Sequence, residues 1–184
     1  MRKDFGVKTW MYPLPVLIIG TYDEEGNANA MNAAWGCIYN DDLVEICLSA
    51  GHKTTKNIKV SNAFTISFAT RRTAAACDYL GIESGNRVPD KLARAGFTTT
   101  KSAYVNAPVI NELPLTMECE LVEIRGENIV GRIRNVSADE SILDEDGCVD
   151  YRKLDPITFD AAANQYVALG DVVARAFNAG KKFK

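Results

Sequence analysis

The chain of 184 residues contains a single histidine, His52, and that scarcity excludes a multi-histidine metal site or a His-rich relay within one chain. Its five cysteines, Cys37, Cys47, Cys77, Cys119 and Cys148, lie far apart with no CxxC pair, so neither a zinc site nor a thioredoxin-like motif is indicated. Most read as small buried apolar residues of a reducing compartment. Long apolar runs are also missing: Pro15 to Gly20 is too short to span a bilayer. The opening Met1-Arg2-Lys3-Asp4-Phe5 lacks the apolar stretch of a secretory signal, so a cytoplasmic chain with no membrane partner is expected. Positive charge is not in excess. A net charge of -3 and a pI near 5.3 argue against nucleic acid as a partner, and the basic tail Lys181-Lys182-Phe183-Lys184 reads as a solvated terminus.

What is present is enough apolar content, 47%, to bury a core without metal or disulfide staples in one domain spanning residues 1–184. Val16 to Tyr22 reads as a largely buried strand, and Asp23-Glu24-Glu25-Gly26-Asn27 carries the turn residues of a hairpin. A strand from Ala28 to Ile38, a turn at Asn40-Asp41-Asp42 and a strand from Leu43 to Leu48 follow. The pattern then predicts a short helix from Thr54 to Val60, closed by Ser61-Asn62, and a strand from Ala63 to Phe68. Arg72 to Leu80 reads as a helix ending at Gly81, with a loop over Ser84 to Asp90 and a helical turn from Lys91 to Ala95.

Alternation is clean from Leu115 to Leu121, where Leu115, Met117, Cys119 and Leu121 share one face. A turn at Gly126-Glu127-Asn128 pairs that strand with Ile129 to Val136. Near the end a helix is expected from Val172 to Phe177, stopped by Gly180. Short strands in hairpin order, few helices and no GxGxxG point to a closed antiparallel barrel and away from a dinucleotide-binding parallel sheet.

Two runs carry the chemistry. Asn29-Ala30-Met31-Asn32-Ala33-Ala34-Trp35-Gly36 crowds small residues around one aromatic, which suits close approach of a flat ligand to the backbone. Trp35 could be core filler, but Ala33, Ala34 and Gly36 clear space around it. The second run, Ser49-Ala50-Gly51-His52-Lys53-Thr54-Thr55, leaves a strand, presents Lys53 and enters a helix, where free N–H groups and the dipole favour a phosphate. Its bland alternative is a solvated loop with Thr54 as an ordinary cap. A planar ring beside a phosphate seat suggests a nucleotide-like cofactor.

These runs, with Pro15-Val16, Lys56-Asn57-Ile58, Ser84-Gly85, Asp90-Lys91, Pro108 to Glu112, Glu118-Cys119, Pro156 to Phe159, Tyr166 and Leu169-Gly170 in this order, resemble the flavin reductase-like, FMN-binding split-barrel family and its flavoredoxin group. The resemblance implies a mainly β, six-stranded antiparallel Greek-key split barrel with short helices, forming a homodimer that holds FMN noncovalently. Carried over residue by residue, Asn32, Ala33, Ala34 and Trp35 would line the ring. Ser49, Gly51, His52, Lys53 and Thr54 would hold the ribityl chain and phosphate, with Lys91 and Tyr166 as further contributors. The family often has an arginine where this chain has His52-Lys53, and an ammonium lacks the bidentate fork of a guanidinium.

No catalytic side chain is expected, because the flavin carries the chemistry. The leading expectation is an oxidoreductase using NADH or NADPH to reduce a free flavin or another acceptor. The alternatives are a flavoredoxin-type carrier between protein partners without a nicotinamide site, and a flavin-binding storage or scaffold protein.

Overall fold

Asp23 accepts hydrogen bonds from the N–H groups of Glu25 and Asn27 at 3.1 and 2.8 Å, and this Asx-type turn joins the first long hairpin, β2 (Leu17–Tyr22) and β3 (Ala28–Ala33). A two-residue strand, β1 (Leu14–Pro15), precedes it. The computed structural model describes all 184 residues, Met1–Lys184. Next come β4 (Gly36–Asn40), β5 (Leu43–Cys47), the helix α1 (Lys53–Ser61) and β6 (Ala63–Phe68). An excursion then carries α2 (Ala74–Ile82), α3 (Lys91–Arg94) and a small hairpin of β7 (Thr99–Lys101) and β8 (Pro108–Ile110). The chain returns through β9 (Leu115–Arg125) and β10 (Asn128–Ala138), and ends with α4 (Tyr151–Leu154), β11 (Ile157–Asp160) and β12 (Gln165–Ala168).

The main sheet is antiparallel in the order β3-β2-β6-β9-β10-β5-β4. Its two edge strands, β3 and β4, are consecutive in the chain and separated only by Ala34-Trp35. One bent segment therefore serves both edges, which curls the sheet into a split barrel. Seven paired segments appear where six strands were expected, because the strand expected over Ala28 to Ile38 breaks at this corner. There the carbonyl of Trp35 still accepts the N–H of Cys47 at 2.9 Å.

Two cores lie on the two faces of the sheet. Alternate residues Leu17 and Ile19 join Val44, Ile46, Phe64, Ile66, Cys119 and Ile129 inside the barrel. Val16, Ile18 and Ala30 face outward under Cys77 and Leu80 of α2, Leu92, Phe97, Ile110 and Ile157. Coverage on both faces explains why β2 reads as a continuous apolar run rather than an alternating one.

α1 closes one end of the barrel. Thr54, Thr55, Asn57 and Ile58 are buried, and the Asn57 amide donates to Thr21 Oγ1 at 3.0 Å. Asn62 ends the helix in the left-handed conformation at φ 54°, its N–H donating to the Ile58 carbonyl, as the Ser61-Asn62 signal predicted. α2 begins later than expected, after a 3-10 turn at Arg71–Thr73, and runs through Gly81 to Ile82.

The helix expected over Val172 to Phe177 is absent. Those residues are all exposed, so no buried apolar face supports a helix in a stretch containing two β-branched valines, and only a 3-10 turn forms at Ala179–Phe183. The cysteines are also less buried than expected: Cys77 and Cys119 lie in the cores, Cys47 is half-buried, and Cys37 and Cys148 are exposed. No helix is long and apolar enough to cross a membrane.

Candidate functional site

β5 ends at Cys47, and the turn through Ser49 to Gly51 aims the start of α1 at the side of β3. His52 occupies the N-cap position with extended backbone, φ −67° and ψ 141°, and its side chain makes no capping bond. The first helical bond runs from the Lys56 N–H to the His52 carbonyl at 3.2 Å, so the N–H groups of Lys53, Thr54 and Thr55 precede the ladder. Thr54 is 1% exposed and is not a cap: its Oγ1 accepts the Asn29 amide at 3.0 Å, fastening α1 to β3.

Lys53 bends toward the β2–β3 turn, where its Nζ lies 3.0 Å from Asp23 Oδ2. Both side chains are largely covered, and Asp23 also accepts from the Asn27 N–H and amide. Burial works against ionisation of Asp23, but these donors outweigh it and hold the carboxyl below its ordinary range. The Ser84 to Pro89 loop closes over this end. A Cβ on Gly85 would collide with Asn29 Oδ1 and come within 3.3 Å of Lys53 Cδ, so only glycine lets the backbone lie there. The Asn86 amide donates to the Gly51 carbonyl at 3.1 Å.

A cleft of about 130 Å³ runs between this helix start and the end of α2, lined among others by Asn29, Met31, His52, Lys53, Ser84 and Lys91. It neighbours a second cavity, of about 250 Å³, which takes in Met31 to Trp35, Cys47, Ser49 and His52. Met31 and His52 line both. Trp35 is 54% exposed, which removes the core-filler reading of that residue.

In the β2–β3 ladder the pairing of Val16 with Ala69 on the β6 side places the backbone groups of Leu17 and Ile19 toward β3. Their partners Ala33 and Met31 are then bonded inward, whereas the N–H and C=O of Asn32 point to the free edge of β3. The structure thus gathers Asn32, Ala33, Ala34, Trp35, Ser49, His52, Lys53, Thr54 and Lys91 around two adjoining cavities, with Gly51 in the turn leading to them.

Tyr166 stands apart from both cavities, on β12. Its hydroxyl donates to Asp78 Oδ1 at 2.7 Å and accepts from the Asn32 amide at 3.3 Å. Sequence reasoning missed Asp23 and the end of α2 beside these residues, and it singled out Asn29 only as the start of the small-residue run, without its bond to Thr54. The clue was available in Gly85, but its collision partner lies 56 positions away along the chain and is visible only in three dimensions.

Lys91 is 2% exposed, and its Nζ donates to the carbonyls of Leu80 and Glu83, both at 2.8 Å. This ammonium satisfies the open end of α2, which leaves its third donor for the cleft. Burial presses its pKa down to about 8, partly opposed by the charge of Glu83.

A family model described as the flavin reductase like domain matches residues 9–158. Among solved structures, the chain is similar to the flavoredoxin of Desulfovibrio vulgaris (Miyazaki F), with 37% identity, 98% of this chain and 100% of that chain covered, and a TM-score of 0.95. It is also similar to a flavoredoxin from Methanosarcina acetivorans, at 25% identity over the full length of both chains with a TM-score of 0.88. The FMN-binding domain of a flavin reductases-like enzyme from Shewanella baltica OS155 shares the fold, at 19% identity over 88% of each chain and a TM-score of 0.78.

The buried ammonium gives a pH prediction. Because the folded pKa of Lys91, about 8, lies below the ordinary 10.5, the unfolded chain holds the proton longer between those values, and stability contributed at this site rises with pH across that window. Below pH 8 both states are protonated and the burial cost is fully present. Relative to Lys91→Met, the wild-type protein should gain up to about 3 kcal/mol in urea unfolding between pH 8 and 10.5. A difference that stays flat across that range would contradict the depressed ammonium.

Proposed function

The chain belongs to the flavin reductase-like family, and on that premise we propose that it is an FMN-binding oxidoreductase that takes electrons from NADH or NADPH and delivers them to a free flavin or another acceptor. The observation that supports this best is the uncapped start of α1 beside Lys53, which lines one of two adjoining cavities, the other being lined by the small-residue run at Trp35. A phosphate fits three unbonded N–H groups at the positive end of a nine-residue helix. A flat ring fits a strand edge kept low by Ala33 and Ala34.

In this reading Ser49, Gly51, His52, Lys53 and Thr54 would hold the phosphate and ribityl chain, and Asn32 to Trp35 would line the ring. Bound there, FMN would supply the one- and two-electron chemistry. The chain supplies position, polarity and access. The free Asn32 N–H on the β3 edge is a donor for the ring's polar atoms, and the α1 dipole with Lys53 balances the phosphate charge. Asp23 offsets part of the Lys53 charge, so the backbone N–H groups carry the larger share. No protein base is required.

A second reading, an electron carrier without a nicotinamide site, is favoured by the full-length likeness at 37% identity to a flavoredoxin. A homodimer belongs to either reading. Ile38 and Tyr39 on the β4 edge are exposed next to Trp35, beside an apolar cavity of about 180 Å³ lined by residues that include Pro15, Leu17, Val44 and Phe68. A second copy would take that apolar surface out of water.

Anaerobic mixing of FMN-loaded protein with NADH or NADPH separates the two readings: prompt loss of oxidised-flavin absorbance is expected, and bleaching only after an electron-donor protein is added would select the carrier. Sedimentation should give about twice the 20.2 kDa chain mass, and an FMN-loaded species at the single-chain mass would exclude the dimer. At the phosphate end, Lys53→Ala should weaken FMN about tenfold and leave riboflavin unchanged, since a charged hydrogen bond is worth roughly 1.5–3 kcal/mol and Asp23 offsets part of it. Equal weakening of both flavins, or of neither, would remove Lys53 from the phosphate site.

A further inference from the structure

Asn32 is the one residue of the ring-side run whose side chain is locked by two other elements, α2 and β12. Its Nδ2 lies 3.1 Å from the carbonyl of Cys77 in α2 and 3.3 Å from the hydroxyl of Tyr166 on β12. The Tyr166 hydroxyl is 2.7 Å from Asp78 Oδ1. Elementary donor and acceptor chemistry fixes every proton in this chain. A carbonyl only accepts, so the Cys77 contact must come from the amide nitrogen. A carboxylate only accepts, so Tyr166 gives its proton to Asp78 and must receive one from Asn32. Both Nδ2 hydrogens are then spent, the amide cannot flip, and Oδ1 is left as an acceptor to which no group of the chain donates.

Neighbouring packing holds the arrangement. A Cβ on Gly81 would lie 3.1 Å from Asn32 Cβ, so α2 rests directly on the residue, and the Tyr166 ring packs against Phe159 with centroids 6.0 Å apart. Burial, followed by the Asp78 hydrogen bond, raises the phenol to about 12, so it stays a donor at every pH at which the protein is handled. Asn32 lines the cavity at Trp35.

We propose that Asp78 and Tyr166 are positioning residues that set the Asn32 amide with Oδ1 toward the cavity, where it accepts the imide N–H of a flavin ring. This rests on the FMN reading above and adds to it the part of the ring that is recognised and the residues that fix the recognising atom. An imide N–H flanked by two carbonyls needs one acceptor between donors. The fixed Oδ1 is that acceptor, and the free backbone N–H of the same residue is a donor beside it. Tyr166 acts through Asn32 and does not cover the ring.

The test compares riboflavin with 3-methylriboflavin, in which a methyl group replaces the imide hydrogen, by fluorescence titration. Wild-type protein should prefer riboflavin by about tenfold or more, the effect of leaving a fixed acceptor unpaired. Tyr166→Phe and Asn32→Ala should each bring that ratio within about twofold of unity, while the preference for FMN over riboflavin, set at the other end of the cleft, stays as in the wild type. Asp78→Asn retains a carbonyl oxygen able to accept from Tyr166 and should keep the discrimination. A ratio unchanged in Tyr166→Phe, or abolished in Asp78→Asn, overturns the proposal and leaves FMN binding standing. A wild-type protein that binds neither flavin overturns the FMN reading itself, and the proposal with it.

Discussion

One bent segment, Ala28 to Asn40, has to serve as both edges of the same sheet, and the site follows from that constraint. β3 pairs with β2 at one end of the strand order and β4 pairs with β5 at the other, with only Ala34-Trp35 to make the corner. The corner cannot be filled from inside, because Gly36 already sits against Leu17 and Ile46 with no room for a Cβ. Trp35 is therefore turned outward. The same closure leaves β3 without a partner on its far side, so the backbone of Asn32 is available to a ligand where an ordinary sheet would have used it for another strand.

The second requirement is a positive end beside that free edge in a chain whose net charge is -3. α1 meets it because it must plug the barrel: Thr54, Thr55, Asn57 and Ile58 are buried for packing, and this orients the helix with its start toward β3. The helix dipole and unbonded N–H groups come with that orientation at no cost in net charge. Lys53 adds a cation that Asp23 holds in place and partly neutralises. On the proposed reading, a phosphate seat built chiefly from backbone donors needs no arginine, and His52-Lys53 suffices there.

Local chemistry made much of the fold legible. The Asp23 to Asn27 turn and the Ser61-Asn62 stop depend on residues a few positions apart, and both appear in the structure. The Leu115 to Leu121 alternation gives a strand but not its burial: Thr116 and Glu118 on the polar face are buried, bonded to Ser67 and Ser102, while Leu115, Met117 and Leu121 are only half-buried. The corner at Ala34-Trp35 was not legible as a break, because small residues suit a continuous strand as well as a bend. β1, β11 and β12 form a separate small sheet from both ends of the chain, and two-to-four-residue strands carry too little periodicity to read. The candidate phosphate residues were visible because they are contiguous around one helix start. Lys91 and Tyr166 were placed by resemblance alone, and their contacts, with the end of α2 and with Asp78 and Asn32, depend on how α2 lies across β3.

The excursion and the terminal strands are therefore more than covering for the outer face of the barrel. A closed antiparallel barrel with a plugging helix would supply the dipole and the free edge, but it would leave the Asn32 side chain to rotate in solvent. α2 crosses β3 at Gly81, where the missing side chain allows contact with Asn32, and it contributes the Cys77 carbonyl and Asp78 from its buried turns. β12 delivers Tyr166 from 134 positions away to complete the chain of donors. Lys91 bonds the last carbonyls of the same helix, beside Gly81, so the element that fixes Asn32 is itself fixed at the mouth of the cleft. On the proposed reading, recognition of the ring depends on α2, whose C-terminal half is held by Asn32 and Lys91, both of which border the cavities.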